Sequence, residues 1–315
     1  MPQPQAAEFT ALLDGVCLLP HWGVIQAQGE DAASFLHNQL TNDVLLLPVG
    51  QARLAAFCNA KGRMQASFVV VKTAPDTVLL VMPQDLLAQT LKRLSMFVLR
   101  AKLKLSDATA QWQLRGLLGA AAPSGSPWAT TVEGAAHTVV LYPAALGDVQ
   151  VPRALWLAPT DAPVPAAWRT PALPMERWTW AEVLSAVPLL TQPVFEAFVP
   201  QMLNYESVGG VNFKKGCYPG QEVVARSQFR GTLKRRMAHV ASPVSLVVGQ
   251  EVFTPADPEQ ACGTVVLSAA RPDGQGWDAL VSGTLDSMQA GWHAGSAQGE
   301  PLELLPLPYA LLDDL

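Results

Sequence analysis

The sequence predicts an α+β protein that ends in a small β-barrel or sandwich. Helical and strand periodicities alternate over the first 105 residues, and two stretches rich in Ala and Pro, 120–128 and 159–174, then interrupt the pattern. From Met237 onward, short apolar stretches are separated by turns rich in Pro, Gly and Asp. With 315 residues, half of them hydrophobic, the chain is long enough to bury more than one core.

The first elements form a helix followed by a hairpin. Residues 31–40 predict a helix because their apolar side chains recur on one face, at Ala32, Phe35, Leu36 and Leu40. An apolar strand over 54–58 leads into the turn 59–62, and alternating polarity over 63–70 predicts a half-buried strand. We expect the two strands to pair, with Lys61 at the tip of the turn.

Four further elements follow from the same periodicities. Residues 77–82 predict an apolar strand, and 84–97 predict an amphipathic helix. Residues 99–105 alternate apolar side chains with outward cations and predict another strand, and 178–187 predict a helix that Pro188 ends. Helices are therefore expected to cover one face of a sheet.

We expect a division into an α/β region over 1–236 and a β-barrel domain over 237–315.

The most informative stretch, residues 213–226, reads FKKGCYPGQEVVAR. Its Pro and acidic residues predict a helix that begins near Tyr218, which places Cys217 just outside the helix N-terminus. There the helix dipole and the ammonium groups of Lys214 and Lys215 favour the thiolate. The alternative is that Cys217 is a small buried hydrophobe and the two lysines are solvated surface charges.

Other residues of this stretch are predicted to support the thiol. Gly216 and Gly220 bracket it and permit a sharp backbone path. Gln221 and Glu222 suit the first turn of the helix, and Glu222 forms an i,i+4 pair with Arg226. We expect these side chains to fix the loop that carries Cys217.

Positive charge is concentrated around the same stretch. Residues 214–236 hold seven cations and the single acid Glu222, whereas the whole chain has a net charge of -5. This concentration predicts an anion site, and a solvated basic face is the alternative. The cations beyond the thiol that could meet an anionic ligand are Arg230, Lys234, Arg235 and Arg236. Direct nucleic-acid binding is not expected, because the chain is acidic overall and Phe229 is the only aromatic residue among the later cations.

Composition also excludes several classes of protein. No apolar run reaches the length of a membrane span, and residues 1–10 lack the features of a secretory signal, so we expect a cytoplasmic protein. The four cysteines have no CxxC or CxxH spacing, so no metal site is predicted. Reduced thiols fit this pattern better than disulfides.

Several stretches resemble the YgfZ-type folate-binding proteins, a bacterial family linked to iron–sulfur cluster assembly and tRNA modification and distantly related to the glycine-cleavage T-protein. Residues 198–204 (FVPQMLN) and 209–226 carry the closest match. Residues 29–44, 60–64 (AKGRM) and the terminal Leu307-Pro308-Tyr309 are also similar to the family's pattern. Residues 120–175 show no resemblance.

The resemblance implies a T-protein-like fold: two interleaved ferredoxin-like α/β lobes and a C-terminal β-barrel around a central folate opening. The implied cofactor is tetrahydrofolate or another reduced folate. Family aromatic positions correspond to Trp22 and Trp178, and Lys61 and Arg230 are further candidates for folate binding. Trp178 lies off the apolar stripe of its helix, unlike Trp180, and should be freer to face a ligand. Taken without the resemblance, each tryptophan is a candidate core residue.

Three functions are compatible with these observations. The favoured function is a folate-binding accessory protein in iron–sulfur cluster assembly or repair, and thereby in tRNA modification, with Cys217 as the reactive thiol. Its partners would be iron–sulfur assembly proteins or cluster-dependent client enzymes. The second is a folate-dependent one-carbon transferase, although residues 59–63 lack the acid that the T-protein presents there. The third is a thiol redox sensor. The sequence leaves open whether any reaction is catalysed.

Overall fold

The computed structural model describes residues 3–169, 172–229 and 233–312. Two five-stranded antiparallel sheets and a closed six-stranded barrel form its framework, with helices packed against them. One large apolar core extends through both sheets, and a smaller one, which includes Val240, Val265 and Trp292, fills the barrel. The predicted α+β fold with a C-terminal barrel is confirmed.

The first sheet contains the predicted hairpin. Its order is β3-β4-β5-β2-β6, and its strands are β2 (Trp22–Gln28), β3 (Ala52–Cys58), β4 (Met64–Ala74), β5 (Thr77–Pro83) and β6 (Lys104–Asp107). β3 and β4 pair antiparallel, and the turn between them is closed by a hydrogen bond of 2.9 Å from the amide of Asn59 to the carbonyl of Arg63. Lys61 lies at the exposed tip, as predicted.

The second sheet explains how the two lobes interleave. Its order is β1-β7-β10-β9-β8, and its strands are β1 (Gly15–Leu18), β7 (Trp112–Leu118), β8 (Thr130–Glu133), β9 (Ala136–Leu146) and β10 (Val149–Pro159). The chain starts in this sheet with β1, crosses to the first sheet for β2–β6, and returns with β7. The strands β8–β10 lie in the stretch 120–175, which shows no resemblance to the YgfZ-type pattern. No strand was predicted there from periodicity.

The helices lie between and around the sheets. They are α1 (Gln3–Leu12), α2 (Ala32–His37), α3 (Leu87–Ser95), α4 (Met175–Ser185), α5 (Gln221–Phe229) and α6 (Leu285–Ala290). Short 3-10 turns occur at Gln84–Leu86, Thr109–Gln111, Gly119–Ala121, Ala166–Arg169, Gln192–Val194 and Pro200–Leu203. α4 packs against β9 of the second sheet and against β13 and β14 of the barrel, which is why most of its side chains are buried. Within the described ranges, no helix is both long and apolar enough to cross a membrane.

The barrel follows α5. Its strands are β11 (Arg235–Ser242), β12 (Glu251–Phe253), β13 (Gly263–Ala270), β14 (Trp277–Thr284), β15 (Trp292–Ala294) and β16 (Pro301–Leu305), and closure leaves no unpaired sheet edge. The division of the chain at residue 236 stays a prediction.

The predicted strand over residues 99–105 is wrong. Only Lys104–Asp107 forms a strand, and Leu99 is 87% exposed. The amide of Lys102 donates to the Asp31 carboxylate at 2.7 Å, and the Asp31 amide donates to the Lys102 carbonyl at 3.4 Å. The segment is therefore tied to the start of α2 before it reaches the sheet, so alternating polarity there does not indicate pairing.

Asp278 connects the barrel to the lobes. Its carboxylate, on β14, accepts a hydrogen bond of 2.8 Å from the Trp180 indole on α4 and is also bound by Arg271 at 3.0 Å. Burial alone would raise the pKa of Asp278, but hydrogen bonds from His239, Arg271 and Trp180 outweigh burial and lower the pKa to about 2. The carboxylate is thus charged and paired at neutral pH.

Candidate functional site

Cys217 is exposed on the loop that precedes α5. α5 begins at Gln221, not near Tyr218, so the expectation that the thiol lies directly at the helix N-terminus is wrong. Gly220 is the reason, because it adopts a left-handed φ of 78°, and a Cβ there would lie 2.4 Å from the carbonyl oxygen of Asn59. Since the effect of a helix dipole falls off within one turn, it contributes less at Cys217 than predicted.

The turn of the β3–β4 hairpin packs against the start of α5. A Cβ on Gly62 would lie 3.0 Å from the Cβ of Val223, and one on Gly220 would lie 2.7 Å from the Cα of Gly62. The Asn59 amide side chain donates to Glu196 at 2.8 Å and thereby fixes the turn. Two stretches about 160 residues apart in sequence thus meet, and Lys61 lies on the same side of the molecule as the cysteine loop.

The two lysines beside the thiol have different environments. Lys214 is exposed, whereas Lys215 is only 8% exposed. The Lys215 ammonium lies 4.6 Å from the centroid of the Tyr218 ring and donates to the Gly216 carbonyl at 3.1 Å. Burial lowers the pKa of Lys215 to about 8, against the opposing effects of Asp43 and Cys217. Lys215 is therefore the cation that the fold holds in place near the thiol.

Buried polar contacts attach the cysteine loop to the segment that follows α2. The Thr41 hydroxyl donates to the Gly210 carbonyl at 2.7 Å, and the Asn42 side chain donates to the Gly209 carbonyl at 2.7 Å. By contrast, the Arg226 guanidinium lies 2.7 Å from the Glu222 carboxylate, but both side chains are well exposed. This ion pair therefore contributes little to holding the loop. The family-like residues of 41–44 and 209–210 thus form the buried connection.

A narrow cavity lies between the two sheets and α4. Its walls include Trp22 from the first sheet, Tyr142 and Arg153 from the second, and Glu182 from α4. The cavity has a volume of about 20 Å³, which is room for roughly one water molecule. A ligand of the size of a folate would require the surrounding elements to separate.

Trp22 and Trp178 are neighbours, but only Trp22 lines the cavity. Their rings are 6.0 Å apart and edge-to-face. Trp178 is fully buried, because Gly116 lies so close that a Cβ there would be 2.3 Å from the ring. The expectation that Trp178 is freer than Trp180 is wrong, since both are fully buried.

Arg153 and Glu182 bring opposite charges to the cavity. Arg153 is 3% exposed, and its Nη1 donates to the Tyr142 carbonyl at 3.2 Å. Among the residues that the structure describes, its Nε has no hydrogen-bond partner. Burial lowers the pKa of Arg153 to about 10, opposed by Glu182, and burial raises the pKa of Glu182 to about 7, opposed by Arg153. Aromatic walls with one donor and one acceptor suit a flat, polar heterocycle.

Comparisons with known proteins agree with this architecture. The family model of the GCVT N-terminal domain matches residues 3–124. A Haemophilus influenzae protein described as uncharacterized is 27% identical over 94% of this chain and 98% of its own length. The "tRNA-modifying protein YgfZ" of Photorhabdus laumondii is 28% identical, covering 94% and 92%, and that of Edwardsiella ictaluri is 29% identical, covering 98% and 96%. The chain is thus similar to proteins named YgfZ over most of its length.

A solved structure of another protein has the fold of this chain. The crystal structure of the glycine cleavage system aminomethyltransferase T from Bartonella henselae matches with a TM-score of 0.64 at 13% identity, covering 97% of this chain and 89% of that one. At this identity the likeness concerns the fold, which confirms the predicted T-protein-like architecture.

The predicted site residues fall into two groups. Lys214 and the other loop residues flank Cys217 in the chain, and Lys61 lies on the hairpin turn that packs against the start of α5. Trp22 and Trp178 lie at or beside the cavity. Arg230 lies outside the described residues. Their functional roles stay predictions.

Sequence reasoning missed Arg153 and Glu182. Arg153 lies on β10, in the stretch without resemblance. The sequence does contain a signal for Glu182, which is a lone acid among the apolar residues of 180–184 in a predicted helix. A charge on the apolar face of a helix indicates either a buried pair or a site.

Proposed function

We propose that this YgfZ-type protein is a reduced-folate-binding accessory factor in iron–sulfur cluster assembly or repair, and through it in tRNA modification. Cys217 is its reactive thiol, and its partners are assembly proteins or cluster-dependent client enzymes. Relatives named tRNA-modifying protein YgfZ support the general role. The observation that carries the proposal is an exposed Cys217 on a loop anchored by buried polar contacts.

The thiol is presented outward while its surroundings are fixed. The Lys214 amide donates to the Asn212 side chain at 2.8 Å, and the Asn212 amide donates to the Thr41 carbonyl at 2.9 Å. Lys215 is buried beneath the thiol-bearing loop. A thiol held this way can meet a partner's sulfur or metal without the loop first having to be ordered, which reduces the cost of association.

The chemistry of the cavity residues fits a reduced pterin, although the cavity must widen. A reduced folate, when bound, carries one-carbon units. Trp22 would offer an aromatic wall, Arg153 an unsatisfied donor, and Glu182 an acceptor for the amino and imino hydrogens of a pterin edge. Satisfying the Arg153 Nε is the physical gain from binding a ligand with an acceptor at this place.

Replacement of Cys217 by Ala tests the role of the thiol. In cells that depend on this protein, we expect cluster-dependent enzyme activities to fall several-fold, because the nucleophile is removed from an exposed position where Ala is tolerated. The matched control is Cys262→Ala, which changes a half-buried thiol of the barrel. Unchanged activities with Cys217→Ala, at equal protein abundance, would refute the assigned role.

A one-carbon transferase is the second candidate, and Glu182 favours it. The β3–β4 turn has no acid, but the cavity contains a carboxyl whose pKa burial raises to about 7, which suits proton transfer near neutral pH. Turnover of a methylamine donor with tetrahydrofolate that is lost in Glu182→Gln would support a transferase. The accessory role requires no such turnover.

A further inference from the structure

We infer that His37, oriented by Asp43, is the proton acceptor for the Cys217 thiol. This inference rests on the proposed role of Cys217 as the reactive group. In the step, the proton on Sγ of Cys217 moves to Nε2 of His37. A thiolate and an imidazolium result, and no bond between heavy atoms changes.

Asp43 fixes the orientation of the His37 ring. His37 is the last residue of α2, and its Nδ1 lies 3.1 Å from Oδ1 of Asp43, with side chains only 13% and 10% exposed. A carboxylate at Nδ1 selects the tautomer with the hydrogen on that nitrogen, so Nε2 carries a free lone pair. Within the described part of the chain, no hydrogen bond occupies Nε2. The ring is thus prepared to accept a proton.

The free nitrogen of His37 faces the cysteine loop. A Cβ built on Gly216 would lie 3.6 Å from Nε2 of His37, so this nitrogen lies against the backbone one residue before Cys217. Adjacent Cα atoms are about 3.8 Å apart, and Cys217 is exposed and can change rotamer. Proton transfer then requires a rotation about its χ1 that turns the thiol toward Nε2. A nucleophile, a base and a residue that orients the base then stand in order.

The surrounding charges favour the ion pair that the transfer creates. Burial would raise the pKa of Asp43, but hydrogen bonds from the Leu46 amide and from His37 outweigh burial and lower it. The Asp43 carboxylate therefore stabilises the imidazolium, and the buried ammonium of Lys215 stabilises the thiolate. The titratable and charged groups from the neighbouring elements are Asp43, Arg53, Lys215, Cys217 and Tyr218.

Alkylation by iodoacetamide tests the assignment on the full chain. The rate at Cys217, followed by mass spectrometry from pH 6 to pH 10, is compared among wild type, His37→Gln and Asp43→Asn. We expect His37→Gln to react about tenfold more slowly at pH 7. At pH 10 it should react at the wild-type rate, because hydroxide then ionises the thiol without help from His37. Asp43→Asn should slow the reaction at pH 7 as well. The control His293→Gln, on a barrel strand, should match wild type throughout.

Two results would overturn the inference. One is a His37→Gln profile equal to wild type at every pH. The other is a rate reduced by the same factor at pH 7 and at pH 10, because that indicates altered access rather than a lost base. His37→Asn replaces His37→Gln if thermal melting shows that the latter does not fold. Loss of function in Cys217→Ala is a separate measurement, so the proposed function can fail while the alkylation profile still decides the role of His37.

Discussion

Arg153 is the residue on which the proposed folate binding would depend most. A guanidinium that is almost fully buried normally has its donors satisfied, yet the Nε of Arg153 has no hydrogen-bond partner within the described ranges. The nearby Glu182 offsets part of the cost of burying the charge, as their opposing effects on each other's pKa indicate. An unsatisfied donor at an aromatic-walled cavity is therefore a position where a ligand gains affinity.

Arg153→Met should weaken the binding of tetrahydrofolate by roughly ten- to a hundredfold. Met preserves much of the apolar volume but removes hydrogen bonds from a charged donor, which are worth about 1.5–3 kcal/mol. Titration followed by tryptophan fluorescence measures the affinity. Arg177→Met, at a partly exposed position of α4, serves as the control. Equal affinities for wild type and Arg153→Met would show that the ligand does not meet this donor.

At the scale of elements, the β3–β4 hairpin and the start of α5 form one unit that positions the thiol. Gly220 allows both the left-handed backbone and the close approach to Asn59. Any side chain there meets backbone atoms, which cannot rotate away. The glycine therefore determines where α5 begins and where the Cys217 loop lies.

Gly220→Ala should destabilise the fold by roughly 2–4 kcal/mol in urea unfolding, since strain at a positive φ adds to a backbone clash. Gly134→Ala separates the two causes, because Gly134 has a φ of 61° and no atom within 4 Å of the added Cβ. That control should lose only about 1 kcal/mol. Similar losses in both variants would mean that the contact between hairpin and helix is not tight.

At the scale of the whole molecule, the barrel is connected to the lobes through buried polar contacts. Asp278 of β14 accepts from Trp180 of α4, and the Asn204 side chain donates to the Met237 carbonyl of β11 at 2.9 Å. The Tyr309 hydroxyl near the chain's end donates to the Ala186 carbonyl at 2.6 Å. These contacts make α4 a common support for the second sheet and the barrel.

Asp278→Asn should lower the free energy of unfolding at pH 7 by about 3 kcal/mol, because Arg271 loses a buried partner. The folded pKa of Asp278 is about 2, below its ordinary value, so its contribution is complete above about pH 4 and is lost as the pH falls toward 2. The pH-dependent contribution of Asp278 to the free energy of unfolding amounts to roughly 2 kcal/mol and should be absent from the variant.

Urea unfolding of both proteins between pH 7 and pH 3 checks the Asp278 prediction, since the other carboxyl groups titrate alike in the two chains. Asp286→Asn, an exposed position on α6, is the control and should follow wild type. A constant difference between Asp278→Asn and wild type at all pH values would contradict the assigned ionisation.

Local pattern predicted much of the first sheet and of the cysteine motif. The hairpin at Lys61 followed from apolar strands around a Gly-containing turn, which depends on neighbours in sequence. The strand expected over 99–105 failed because a contact with Asp31, distant in sequence, governs that segment. The start of α5 was misplaced for the same reason, since Asn59 lies about 160 residues before Gly220.

The sequence by itself determined the fold class, the family resemblance and the choice of Cys217 as the candidate thiol, because periodicity and motifs are properties of neighbouring residues. Only the tertiary structure decided which lysine is buried beside Cys217 and which of Trp22 and Trp178 lines the cavity. It also placed Arg153 and Glu182 at the cavity and His37 against the cysteine loop. Burial and pairing arise when segments far apart in the chain pack together, and no local pattern contains that information.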